Sequence, residues 1–130
     1  MRVVVAGGRN FDNYGLLRLE CIDIFKQLKA EGFDTNKTKV EIISGKANGA
    51  DTLGERFQKE FSLNLKEFPA DWNLLGKSAG YIRNNSMAEY AKQDDELGVL
   101  IAFWDGQSRG TMHMIDLAKK HGLRVFVVNY

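Results

Sequence analysis

The chain has 130 residues, 44% of them hydrophobic, which suits one domain with a buried core and leaves no room for a second. Its 18 lysines and arginines against 17 aspartates and glutamates leave a net charge of +1, so there is no broad cationic face for a nucleic-acid duplex or an anionic membrane, and cationic work must be local. Cys21 is the single cysteine, which rules out a disulfide within the chain and argues against a cysteine-based zinc site.

Arg2 to Ala6 is a short apolar run, as expected of a central parallel strand buried on both faces. It is too short for a signal-peptide core or a membrane span and runs directly into a glycine turn, which reads as the first strand of a cytoplasmic protein. Leu17, Cys21, Ile24, Phe25 and Leu28 recur at helical spacing until Glu31-Gly32 stops them, giving a first helix with Cys21 as a small core residue. A polar connector covers 33–39. Val40 to Ile43 is a second strand, and Ala50, Leu53, Phe57 and Phe61 mark one face of a second helix. Leu63 to Phe68 is a third strand of weaker β character, closed by Pro69, which cannot donate to a ladder. After a glycine-punctuated loop come a third helix over Ile82–Lys92, a fourth strand over Gly98–Phe103, a fourth helix over Thr111–Lys120 and a fifth strand over Arg124–Val128. Gly122 falls where a C-cap glycine belongs, and Asp94-Asp95-Glu96 reads as a solvated connector.

Repeated β-then-α units with short connections imply right-handed crossovers and a single Rossmann-like, three-layer α/β domain over residues 1–130, with a five-stranded parallel sheet in the order 3-2-1-4-5. In that order strands one and four are neighbours whose crossovers go to opposite faces, and a crevice opens between the loops that follow them. Four glycine-bearing turns fall where strands give way to helices: Gly7-Gly8-Arg9, Ser44-Gly45-Lys46 through Gly49 to Asp51, Asp71-Trp72 on to Gly76 and Gly80, and Trp104-Asp105-Gly106 through Ser108 to Gly110-Thr111. Such loops gather at one sheet edge, where helix N-termini present free N–H groups to anions. Such an edge reads as a phosphate or nucleotide site.

Two familiar phosphate signatures are absent. A Walker A loop needs Gly-Lys followed by Ser or Thr and a glycine five residues before the second one; Gly45-Lys46 is followed by Ala47, with Val40 at the earlier position. The dinucleotide fingerprint Gly-x-Gly-x-x-Gly is not met by Gly7-Gly8-Arg9-Asn10-Phe11-Asp12.

The residues nevertheless have roles of their own. Gly7 and Gly8 allow a sharp exit from strand one, and the Arg9 guanidinium can fork onto phosphate oxygens. Ser44, Gly45 and Gly49 make a phosphate-sized loop before a helix, while Asp51 either caps that helix or holds a ribose hydroxyl. Gly106, Ser108, Gly110 and Thr111 combine hydroxyl donors with open backbone and form the strongest candidate for the phosphate cradle. Trp72 and Trp104, just beyond strand ends, can stack on a base or pack beneath a loop. Arg83, at the start of the third helix, is a cation where the dipole disfavours one, which points away from a helix-stabilising role; Asn84 beside it can read a base edge or a ribose. His113 and His121 are eight residues apart with no partner at ligand spacing, so no metal site is expected.

These motifs, taken together, resemble the SLOG superfamily of Rossmann-like domains, and most closely its YspA-like branch. The matching pieces are Gly7-Gly8-Arg9-Asn10-Phe11, Ser44-Gly45-Lys46-Ala47-x-Gly49-Ala50-Asp51, Phe68-Pro69-Ala70-Asp71-Trp72, Gly80-x-x-Arg83-Asn84-x-x-Met87, and Ala102-Phe103-Trp104-Asp105-Gly106-x-Ser108-x-Gly110-Thr111. The resemblance implies binding of nucleotides or nucleotide-derived ligands, with no cofactor firmly implied, and homo-oligomers, for which Phe25, Phe57 and Phe61 offer apolar surface. Lys46 departs from the glycine expected in this branch and can add a phosphate contact or narrow the site. The superfamily includes the Lonely Guy phosphoribohydrolases, which this chain is similar to in its Arg83-x-x-x-Met87 segment. Their glycine loop ends Gly-Thr-x-x-Glu, with the glutamate taking part in N-glycosidic cleavage. In the corresponding Gly110-Thr111-Met112-His113-Met114, a methionine stands where that carboxylate belongs and can neither stabilise an oxocarbenium-like centre nor activate water. Asp116 is turned away by the helix.

Three readings follow. The first is a sensor or sequestering module for an ADP-ribose-like, NAD-derived or cyclic nucleotide. The second is a nucleotide-processing hydrolase, phosphoribohydrolase-like, or a transferase, working through Asp51, Asp71 or Asp105, with Arg83 a further candidate. The third is single-stranded DNA binding, as in the related Smf/DprA proteins, which the near-neutral charge disfavours.

Overall fold

The computed structural model describes residues 1–130. Strands β1 (Arg2–Gly7), β2 (Glu41–Ser44), β3 (Asn64–Glu67), β4 (Gly98–Trp104) and β5 (Arg124–Asn129) form one sheet. All its pairings are parallel and its order is β3-β2-β1-β4-β5. The fold is α/β and Rossmann-like, as the alternation of apolar runs and helical spacing predicts. The helices are α1 (Tyr14–Ala30), α2 (Ala50–Glu60), a single turn α3 (Trp72–Leu75), α4 (Ala79–Lys92) and α5 (Arg109–Lys120).

The continuous apolar strands are explained by a core on each side of the sheet. Val3 and Val5 of β1 and Val99, Ile101 and Phe103 of β4 pack with α1 and α2 through Leu17, Cys21, Leu28 and Phe57. The alternate residues Val4, Ala6, Leu100 and Ala102 pack on the other face with α4 and α5 through Met87, Ala91, Met114 and Ala118. Period-two alternation on a strand covered on both faces leaves no polar position, and each large side chain so buried contributes about 1.5–3 kcal/mol. The edge strand β3 differs. Only Leu65 of its four residues packs inward, and Asn64, Lys66 and Glu67 are exposed, which blunts the edge against pairing with another chain.

Boundaries move by small amounts from the expected ones. β2 begins one residue later than Val40, and β3 is shorter at both ends. The loop after Pro69 is more ordered than its glycines suggest. It holds α3 and a 3-10 turn at Gly76–Ser78, and α4 starts at Ala79, so Gly80 is helical. Phe57 is no surface residue: it is 2% exposed, and Phe25 and Phe61 pack against it with ring centroids 6.0 and 4.6 Å away. The exposed apolar side chains are instead Leu19, Leu74, Leu75, Tyr81, Ile82 and Met112 among others. No helix is long and apolar enough to cross a membrane.

Candidate functional site

The loops that follow β1 and β4 leave the same edge of the sheet and frame a cleft of about 460 Å³, completed by the start of α2, the α3–α4 segment and the start of α5. Its floor is apolar: Ala6, Met87 and Met114, the last 1% exposed. Met114 therefore faces the cleft from the first half of α5, while Asp116 is exposed elsewhere on that helix.

Above this floor the groups are polar. Because α4 begins at Ala79, Arg83 sits in its second turn, beyond the reach of the unfavourable end of the dipole. Its Nε donates to Asn84 Oδ1 at 3.1 Å and its Nη1 to the main-chain carbonyl of Gly45. A Cβ at position 45 would lie 2.8 Å from both Arg83 Nη1 and Asp51 Oδ2, so the loop passes between these two side chains only because it has no side chain there. Asn84 is itself buried and spans from α4 to α5, with Nδ2 3.4 Å from the carbonyl of Gly110 and 3.2 Å from His113 Nδ1. Its amide is thus committed to fixing Arg83 and the start of α5 rather than free to read a base.

Asp51 is not the cap of α2. That position is Gly49, whose φ of +81° suits glycine and whose Cβ, if present, would lie 2.2 Å from the carbonyl oxygen of Gly8. Asp51 lies in the first turn, 6% exposed, and accepts from the Ala47 amide at 3.3 Å. Burial pushes its carboxyl up to about 6, against the pull of that amide and of Arg83. The Arg83 guanidinium is pushed below its ordinary value by burial, with Asp51 opposing and the nearby charge of Arg9 adding to the effect.

The loop after β4 is held by its own side chains. Asp105 Oδ1 accepts from the amides of Gln107 and Ser108, both at 2.8 Å, and these bonds hold its carboxyl below the usual range. Ser108 caps α5: its Oγ lies 3.5 Å from the Thr111 amide and 3.2 Å from Thr111 Oγ1.

Of the residues singled out in the sequence, Gly7, Gly8, Arg9, Asp51, Trp72, Arg83, Asn84, Asp105, Ser108, Gly110 and Thr111 line this cleft. Gly45 and Lys46 line an adjoining chamber. The rest are elsewhere. Ser44 is buried beneath its loop, donating to Glu55 Oε2 at 2.6 Å. Asp71 caps α3 through the Leu74 amide at 3.0 Å. Trp104 is the last residue of β4 rather than beyond it, and its Nε1 donates to the Ser108 carbonyl at 3.1 Å, the packing role rather than the stacking one. Gly106, at φ +83°, is a turn residue that does not line the cleft. Lys46, at φ +60°, adopts the left-handed backbone that glycine favours, and its ammonium turns to Glu55 Oε1 at 2.9 Å rather than to the cleft.

Lys77, Tyr81, Met87 and Tyr130 also line the cleft and went unmarked as site residues in the sequence. Tyr130 follows β5, whose end the strand order brings to the same edge as the loop after β4; its main-chain amide donates to the Trp104 carbonyl at 3.3 Å. Of the cleft's cations, Arg9, Lys77 and Arg83, none takes part in any ion pair of the chain. Trp72, 49% exposed, stands beside them with its ring centroid 6.0 Å from the Arg9 guanidinium carbon. No three His, Cys, Asp or Glu side chains converge in a metal-holding arrangement.

The molecule is thus a Rossmann-like α/β protein with a cationic cleft at the carboxyl edge of its sheet. It is 34% identical over 89 residues to the Gene 61 protein of Mycobacterium phage D29, a stretch that takes in 65% of this chain and 67% of that protein, and it belongs to that protein's family. No protein-family model matches the chain, and no solved structure matches it significantly.

Proposed function

We propose that this chain is a single SLOG-like domain that binds a nucleotide or nucleotide-derived ligand at the carboxyl edge of the sheet, as a cytoplasmic sensor or sequestering module. The observation that carries this reading is the convergence of Arg9, Lys77 and Arg83, none of them ion-paired, over an apolar floor and beside a half-exposed indole. Converging cations without ion-pair partners attract phosphate, and an indole with an apolar floor accommodates a base. Met114 at that floor supports binding without the N-glycosidic chemistry that a glutamate would supply. Self-association is part of the proposal, supported by the exposed Leu74, Leu75, Ile82 and Met112 on α3, α4 and α5.

Native mass spectrometry of the purified protein with AMP, ADP-ribose, NAD and cyclic nucleotides tests the reading. Retention of one of them intact is the expected result, and failure to retain any would overturn it. The position of Asp51 favours a second reading. It is a buried carboxyl in the cleft, titrating near 6 beside Arg83, which suits a general acid or base in nucleotide hydrolysis. Release of free base or phosphate that vanishes in Asp51→Asn would establish it.

A further inference from the structure

The cleft does not end at Arg9 and Arg83. Beyond them lies a second chamber of about 510 Å³, walled by the 45–48 loop and by Pro69 and Ala70. The two chambers share Arg9, Ala47, Trp72 and Arg83, so two guanidiniums and an indole form the waist between them. Each chamber alone lies within the volume range of small-ligand sites.

The waist has two guanidiniums and, beside Arg83, a single buried carboxyl, Asp51, which forms no ion pair with either. Arg83 spends Nε on Asn84 and Nη1 on Gly45, leaving Nη2 without a protein acceptor. Arg9 is exposed and unpaired, and the two guanidiniums are close enough for Arg9 to disfavour the charged form of Arg83. Two guanidiniums held together with one buried carboxyl nearby keep an excess of positive charge, which an anion bridging them relieves, and guanidiniums bind phosphate oxygens in bidentate fashion. The chambers differ in character. One has the methionine floor, and the other is lined by Gly45, Lys46, Ala47 and Asn48 of the loop after β2 and by Pro69 and Ala70.

We propose that the cleft takes a ligand in which a diphosphate joins two sugar-bearing groups, the diphosphate lying at the Arg9–Arg83 waist and one end occupying each chamber. The base end lies over Met87 and Met114, and the second sugar lies against the 45–48 loop. This inference rests on the nucleotide reading above and narrows it: a mononucleotide fills one chamber and brings a single phosphate to two guanidiniums.

Calorimetric titration of the whole chain with AMP and with ADP-ribose tests it. ADP-ribose is expected to bind at least about tenfold more tightly than AMP. Ala70→Trp, which fills the second chamber from its outer wall, is expected to bring ADP-ribose down to the affinity of AMP while leaving AMP unchanged. Equal affinities of the unaltered protein for the two probes would overturn this inference and leave the nucleotide reading standing, independently of how any variant folds. Equal weakening of both probes by Ala70→Trp would also count against it. Binding of neither probe by the unaltered protein would overturn this inference, and the nucleotide reading falls with it only if NAD and cyclic nucleotides are also not retained.

Discussion

Arg83, on α4, donates through Nη1 to the main-chain carbonyl of Gly45, in the loop after β2. A side chain from one face of the sheet thereby fixes a loop that leads to a helix on the other face. The same guanidinium is steadied at Nε by Asn84, whose amide also reaches the start of α5. Three segments distant in sequence are thus held in register around one cation.

That arrangement needs a planar fork. A lysine at this position has one ammonium and cannot serve Asn84, Gly45 and a ligand along three fixed directions. Arg83→Lys is expected to weaken AMP or ADP-ribose binding about tenfold or more, in keeping with about 1.5–3 kcal/mol for a hydrogen bond to a charged group. Isothermal calorimetry of the two proteins reads it directly, and unchanged affinity would remove Arg83 from the binding site.

Asp51 links stability to pH with a definite sign. Burial raises its carboxyl from 3.8 to about 6, so between those values the folded chain holds a proton that the unfolded chain has released. Stability contributed at this site falls as pH rises through that window, and above it the ionised carboxylate costs the fold up to about 3 kcal/mol. Asp51→Asn stays neutral and keeps an acceptor for the Ala47 amide. Urea midpoints should therefore shift in the variant's favour, relative to the parent, between about pH 4 and about pH 8. A pH-independent difference would contradict the raised titration.

The two tryptophans should separate binding from stability. Trp72 is half exposed at the cleft, so Trp72→Ala is expected to cost about 1–3 kcal/mol of ligand affinity if a base stacks there, with little change in melting temperature. Trp104 packs against the core and donates to Ser108, so Trp104→Phe is expected to lower stability by about 1 kcal/mol through the lost hydrogen bond. Thermal melts and ligand titrations of both variants decide it. The reverse pattern would exchange their roles.

Gly49 is the most constrained turn in the site. A methyl there would lie 2.2 Å from a main-chain oxygen of Gly8, in a backbone of φ +81°. The three nearest atoms, from Gly8 and Arg9, are all main chain, so Gly49→Ala is expected to destabilise the protein by about 3 kcal/mol or more, measured by chemical denaturation. A change below about 1 kcal/mol would show that the loops after β1 and β2 can part without loss.

The sheet was legible in the sequence because burial on both faces removes polar residues from β1 and β4 and leaves short apolar runs between glycine turns. Strand order followed from chain connectivity. Less legible was the 69–80 segment, where Gly76 and Gly80 suggested an open loop; Asp71 standing three residues before Leu74, in the manner of a cap, was the available sign of α3. Asp51 was harder to read, since a carboxylate near a helix start is equally a cap until the true start, at Gly49, is known. Lys77 and Tyr130 reach the cleft only through tertiary placement, and no local pattern marks them. Lys46 offers a different lesson: its charge suggested a phosphate contact, but Glu55, one helix turn beyond Asp51, holds its ammonium.

Cys21 lies 1% exposed in the core, its thiol pushed up to about 12 by burial. A thiol so placed is inert toward alkylating reagents in the folded protein. The chain is therefore silent toward thiol reagents, and in Asn10→Cys, at the exposed rim of the cleft, the new side chain would be its one reactive thiol. Its rate of alkylation would then report cleft occupancy in unlabelled mixtures, with no second site to subtract and no stray disulfide to form within the chain.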